Sequence, residues 1–178
     1  MPTRKQNRLS LNVYREPGTF FVTIATEGRR AWFREPAVVE RCAGAIRAAC
    51  DKEGFDLIAY CFMPDHVHVV VSTEQENDLV RLVHGFKQKT GWWFRNQYVA
   101  GGLPPEADPP AAGKPSPTGR STRPGLWQKS YYDHVLRRDE DLADVVRYVL
   151  ENPIRAGLVE SFDEYPYGWS VYGAPEAG

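Results

Sequence analysis

The chain is short of cysteine, of long apolar runs and of net charge. Its three cysteines, Cys42, Cys50 and Cys61, are too few and too scattered for a disulfide framework or a zinc site. Their apolar surroundings mark them as buried free thiols. No segment reaches the ~20 apolar residues of a membrane span, and the charged N-terminus lacks a signal peptide's apolar run. A soluble protein of a reducing, cytoplasmic compartment is expected. The formal net charge of −1 argues against a globally basic nucleic-acid coat. Glycine-based signatures are missing too. There is no Walker loop, no dinucleotide fingerprint and no serine on a glycine-flanked elbow.

What is present is unevenly placed. Through Arg34 the chain carries Arg4, Lys5, Arg8, Arg15, Arg29, Arg30 and Arg34 against only Glu16 and Glu27. A basic N-terminal arm, residues 1–18, suits a polyanion, although a solvated tail fits the charge equally well. Half of the fourteen prolines fall within residues 100–124, where no periodicity survives, so this stretch reads as an exposed, flexible loop. With 178 residues, 42% of them hydrophobic, residues 19–178 suffice for one domain.

Thr19–Ala25 is aromatic and β-branched and reads as a strand. Glu35-Pro36 opens a helix whose apolar residues Val38, Val39, Cys42, Ala45, Ile46 and Ala49 recur at helical spacing, and Gly54 closes it. Phe55–Met63, the turn Pro64-Asp65 and His66–Ser72 form a hairpin. Asn77 or Asp78 caps a helix over 79–98. A short strand is expected at Leu126-Trp127 and a helix over 139–150, with Asp139 or Asp141 near its start. The aromatic tail from Phe162 should pack back on the domain. The order implies an α+β, ferredoxin-like (βαββαβ) sandwich, with a central antiparallel sheet covered by helices on one face and an additional C-terminal helix.

The chemistry-bearing feature is His66-Val67-His68. The strand period of two turns both imidazoles to one face. Such a pair is either a polar strand face or two metal ligands with open coordination suited to a phosphate. A third histidine at position 70 would make a nucleotide-hydrolase pattern, but that residue is Val70. Tyr148 and Asn152, four apart on an expected helix, share a face. They are a phenol nucleophile and an amide ligand, or a core aromatic and a C-terminal cap; spacing alone favours the latter.

Three separated blocks decide between these readings. They are Tyr60-Cys61-Phe62-Met63-Pro64-Asp65-His66-Val67-His68, the run Leu126 to Arg137, and Tyr148 to Val159. Together with Gly18–Thr23 they resemble the single-tyrosine HUH transposases of the IS200/IS605 type, and most of all their REP-associated branch. The resemblance spans roughly residues 14–170. It implies a ferredoxin-like nuclease domain with His66, His68 and Asn152 as ligands of Mg²⁺ or Mn²⁺ and Tyr148 as nucleophile. Relatives often carry glutamine where this chain has Asn152. Cleavage of single-stranded DNA beside a hairpin, through a 5′-phosphotyrosine, is then expected, in a bacterial, nucleoid-associated setting. Asp133 and His134 are expected to support the site, and Arg4, Lys5, Arg8, Arg15 and Lys87 to contact DNA, with Trp92, Trp93 or Trp127 as stacking surfaces and Trp93 favoured as core. The resemblance allows a homodimer or a monomer. Two other readings stay open: a non-catalytic nucleic-acid-binding module, and a metal-dependent phosphodiesterase that uses water.

Overall fold

The computed structural model describes residues 13–101, 124–137 and 140–173. Five strands form one antiparallel sheet in the order β4-β1-β3-β2-β5: β1 (Gly18–Ala25), β2 (Asp56–Met63), β3 (His66–Thr73), β4 (Tyr132–Val135) and β5 (Gly168–Ser170). Its first four strands, with helices α1 (Pro36–Glu53) and α2 (Leu79–Trp93), make the expected split βαβ arrangement. Arg4, Lys5, Arg8 and the core of the 100–124 loop lie outside the described residues.

Local chemistry sets the helix ends. Pro36 occupies the first turn of α1, and Gly54 closes it in the left-handed region at φ 73°. Of the two candidate caps of α2, Asp78 is the one used: its carboxylate accepts from Val80 N–H at 2.9 Å and Arg81 N–H at 3.2 Å. Asn77 instead donates to Gly54 O at 2.7 Å and Thr73 Oγ1 at 2.9 Å, tying the two helix ends together.

The main core lies between the sheet and α1/α2. Phe20, Val22 and Ile24 of β1 and Val67, Val69 and Val71 of β3 meet Val38, Cys42, Ile46, Leu82 and Phe86. Alternation leaves the opposite face to Thr23, His66, His68, Val70, Ala59, Cys61 and Met63. This second face is half apolar, and it does not stay bare. Helix α3 (Leu142–Leu150), N-capped by Asp141, lays Val146, Val149 and Leu150 on Ala59, Cys61, Met63 and Val70. Helices therefore cover both faces, not one as expected. The near-continuous apolar run Ile58–Met63 is what a strand buried on both sides requires.

Two further expectations shift. The strand that completes the fold is Tyr132–Val135, paired with Phe20–Thr23 of β1; Leu126-Trp127 makes only an isolated bridge, Trp127 to Thr26. Helix α2 ends at Trp93, and a wider turn, Phe94–Tyr98, carries the chain on. The aromatic tail does pack back: Tyr165 Oη donates to Phe62 O at 2.6 Å, and Trp169 stacks on Tyr60. All three cysteines are buried free thiols, and burial pushes the Cys50 and Cys61 thiols up to about 12.

Candidate active site on the second face of the sheet

Register builds the site row by row. Thr23 of β1 pairs with His68 of β3, which pairs with Cys61 of β2, while Tyr132 of β4 pairs with Thr23 from the other side. One row across the sheet thus reads Tyr132, Thr23, His68, Cys61. The neighbouring rows hold Ala25 and His66, and His134, Phe21 and Val70.

The two imidazoles converge. His66 Nε2 and His68 Nε2 stand 3.1 Å apart, with the rings nearly perpendicular at 87°. Each Nδ1 is held from behind. His66 Nδ1 donates to Asp65 Oδ1 at 2.6 Å, since a carboxylate can only accept, and Arg29 approaches the other Asp65 oxygen at 3.4 Å. His66 Nε2 in the neutral ring therefore carries a lone pair. His68 Nδ1 lies 2.9 Å from Thr23 Oγ1. A hydroxyl both donates and accepts, so Thr23 serves either tautomer of His68 without moving. His68 is 7% exposed. Burial first, then the positive charges of His66, Arg155 and Arg29, hold its pKa down to about 3. The shift favours the neutral imidazole, the form that ligates a cation.

Tyr148 lies on the outer side of α3, 51% exposed. Phe21 stands between it and the histidines, stacked on His68 with centroids 5.3 Å apart and edge-on to Tyr148 at 6.3 Å. A cavity of about 340 Å³ beside Tyr148 is lined by Phe21, His134, Glu140, Asp141, Asp144 and Val145. His134 Nε2 meets Glu140 at 2.8 Å. The Glu140 carboxyl is held below its usual range by the Arg137 N–H and then by His134.

Asn152 does not continue the helix of Tyr148. Helix α3 stops at Leu150, and Asn152 opens a separate turn, α4 (Asn152–Arg155). Its Nδ2 donates to Tyr148 O at 3.0 Å and Val149 O at 3.3 Å. The side chain thus acts as a C-terminal cap. Those carbonyls fix the amide orientation, and its oxygen is the group left for an ion.

The other expected residues scatter. His134 is on the histidine face. Asp133, one residue earlier, is buried on the opposite face, across from Val22. Lys87 is turned to the protein: its Nζ donates to Gln128 O at 2.7 Å and Lys129 O at 3.0 Å. Arg15 pairs with Asp78 at 3.6 Å. Trp92 is exposed, whereas Trp93 and Trp127 pack against the core, as favoured for Trp93. Sequence reasoning missed Arg155, whose guanidinium carbon lies 4.1 Å from the Tyr148 ring centroid and whose Nη2 donates to Tyr148 O at 2.6 Å.

Among the described residues no group of three His, Cys, Asp or Glu side chains forms a metal site. The donor set that the geometry brings together is the two imidazoles. It fits a divalent ion: 3.1 Å is the spacing expected of two adjacent ligands with bonds of about 2.1 Å.

The sheet thus carries an outward histidine pair backed by a threonine and a carboxylate. Residues 19–101 match the family described as Transposase IS200 like. Over more of its length the chain resembles REP-associated tyrosine transposases. A candidate of that name from Haemophilus influenzae is 25% identical over 152 residues, covering 84% of this chain and 78% of the relative. The REP-associated tyrosine transposase of Escherichia coli is 21% identical over 157 residues, covering 86% and 77%. The fold matches a REP-associated tyrosine transposase solved bound to a REP hairpin, with TM-score 0.62 and 20% identity over 87% of this chain and 78% of that one. It also matches a candidate transposase from Deinococcus radiodurans, with TM-score 0.50 and 16% identity over 75% and 88%. Among the described residues no helix is long and apolar enough to cross a membrane.

Proposed function

We propose that this protein is a metal-dependent single-stranded DNA endonuclease and strand transferase that acts beside DNA hairpins through a 5′-phosphotyrosine. The observation that carries the reading is the His66/His68 pair, with both Nε2 atoms converging and both Nδ1 atoms held, on the face that also presents Tyr148. Histidines that ligate a metal almost always have the other ring nitrogen held in this way. His66, His68 and the Asn152 oxygen would hold Mg²⁺ or Mn²⁺, which when bound supplies Lewis-acid stabilisation of charge on the scissile phosphate.

The chain's own groups then do the following. Tyr148 presents its phenol oxygen to solvent, where it attacks the phosphorus in line. The bond to the 3′ oxygen breaks, that oxygen leaves as a hydroxyl, and the 5′-phosphate stays on Tyr148. Because the phosphodiester energy is kept, a second 3′-hydroxyl can attack the phosphotyrosine and rejoin strands. Arg155, packed on the Tyr148 ring, orients the phenol and offers positive charge to the phosphate. Phe21 packs on His68 and on the Tyr148 ring and sets the spacing between them. A hairpin-bearing strand is the proposed partner, because the relative of known structure is bound to one. The active unit is proposed to be one chain or a homodimer.

The test is incubation with Mn²⁺ and hairpin-bearing single-stranded DNA labelled on either side of the cut. A covalent protein–DNA adduct is expected with the wild type, and with Tyr131→Phe and Tyr132→Phe, but not with Tyr148→Phe. Free 5′-phosphate without adduct would instead mean hydrolysis by water. Binding that survives chelator and His66→Ala, with no cleavage, would mean a non-catalytic module.

A further inference from the structure

On the side of the sheet away from the histidines, α2 and residues 125–131 enclose a cavity of about 450 Å³. Lys87, Arg95 and Lys129 line it, with Trp127 and Tyr131 as aromatic surface, and no carboxylate lines it among the described residues. The outer groove between α1 and α2 is different. There Glu53 takes up two of the cations, Lys52 at 3.2 Å and Arg81 at 3.3 Å. Beside the first cavity the Glu27 carboxylate accepts from the Gly125 N–H at 2.6 Å, while Arg95 and Lys129 stand at the rim.

Its floor is fixed. Lys87 bonds the carbonyls of Gln128 and Lys129, and Trp127 Nε1 donates to Thr90 Oγ1 at 2.8 Å. Arg95 and Lys129 are exposed at its rim. Tyr131 is partly exposed, with Lys87 Nζ 6.0 Å from its ring centroid.

The cavity is joined to the histidine face around one edge of the sheet. Gln128 N–H donates to Ala25 O at 3.0 Å, and Ala25 is the register partner of His66. Tyr132, half exposed, pairs with Thr23, the partner of His68. Edge strand β4 therefore begins level with the histidines, about two strand spacings or ~10 Å away. Its first residue, Tyr132, belongs to the histidine face, while the preceding Tyr131 lines the cavity on the other.

We propose that this cavity docks one unstacked nucleotide of the single strand flanking the cleavage position, with its base on Tyr131 and its phosphates against Arg95 and Lys129. The inference rests on the single-strand DNA reading above and adds to it where the strand goes after leaving the site. Aromatic stacking with a cationic rim recognises any base with a π-face and needs no hydrogen-bond code.

The experiment uses Tyr148→Phe protein, which keeps the DNA intact, and a DNA hairpin with a short single-stranded flank of mixed sequence. 5-Bromouracil is placed at successive flank positions, and the crosslinked peptides are mapped after irradiation. A position that crosslinks to residues 125–131 is expected; crosslinks confined to peptides of the histidine face would overturn the proposal. In the same background, Arg95→Glu with Lys129→Glu should weaken binding of the flanked hairpin at least tenfold. Loss of two phosphate contacts should also reduce the salt slope by about 1.4. Binding of a blunt hairpin should change less than twofold. Tyr131→Ala should weaken flanked binding about tenfold, and Tyr131→Phe should retain it. Equal weakening of both DNAs, or of neither, counts against the cavity. Wild-type adduct formation is scored separately. Adduct without crosslink rejects the cavity alone; crosslink without adduct rejects the nuclease reading and leaves a DNA-docking cavity.

Discussion

Arg155 covers the ring of Tyr148, with its guanidinium carbon 4.1 Å from the ring centroid, while Nη2 of the same side chain bonds the Tyr148 carbonyl. Backbone and ring are thus gripped by one residue. Its charge also reaches His68, whose pKa it helps to lower. Arg155→Ala should therefore slow adduct formation about tenfold to a hundredfold, and Arg155→Lys should recover part of the rate by keeping the cation over the ring. The side chain is exposed, so stability should move by less than about 1 kcal/mol. Single-turnover adduct kinetics beside chemical denaturation check both halves; an unchanged rate in Arg155→Ala would sink the positioning role.

Thr23 should matter for metal rather than for fold class. Thr23→Val keeps the shape and removes the partner of His68 Nδ1, and Asp65→Asn weakens the partner of His66. Loss of such backing typically costs tenfold to a hundredfold in metal affinity. Calorimetric titration of each variant with Mn²⁺ is the measurement, and affinities within twofold of wild type would argue that the pair is not a metal site.

His68 should make the metal-free protein sensitive to acid. Its folded pKa is about 3 against an ordinary 6.5. Between those values the unfolded chain binds a proton that the folded one does not. Stability is thus fully present above pH 6.5 and falls as pH drops through the window, by up to about 1.4 kcal/mol per unit. Denaturant melts in chelator at pH 7, 6 and 5 should show this slope, and His68→Gln should flatten it. An identical slope in the variant would place the acid sensitivity elsewhere.

Much of the fold was legible in the sequence because it is local. Pro36, Gly54 and Asp78 mark helix ends through their own backbone chemistry, and the Pro64-Asp65 turn between apolar runs sets a hairpin. The period of two put His66 and His68 on one face before any partner was known. The IS200-like resemblance rested on three blocks that fold into β2 and β3, β4 with the segment before it, and the end of α3 with α4. What misled was short or polar. Tyr132–Val135 is a four-residue edge strand containing Asp133 and His134, with too little apolar pattern to outweigh Leu126-Trp127. Lys87, expected to contact DNA, also bonds the carbonyls of Gln128 and Lys129, a pairing that its distance along the chain hides. Asn152 read as part of one helix with Tyr148, whereas the chain breaks at Glu151 and the amide caps the break.

By itself the sequence determined the main helix ends, the hairpin and the direction of the histidine pair, since each follows from neighbours within a few residues. Only the tertiary structure decided that α3 closes the second face, that Arg155 holds Tyr148, that Thr23 and Asp65 back the two imidazoles, and that Tyr131 and Tyr132 belong to opposite sides of one sheet edge. Those are contacts between segments far apart in the chain. They depend on register and on which apolar surface remains to be covered once the first core is formed.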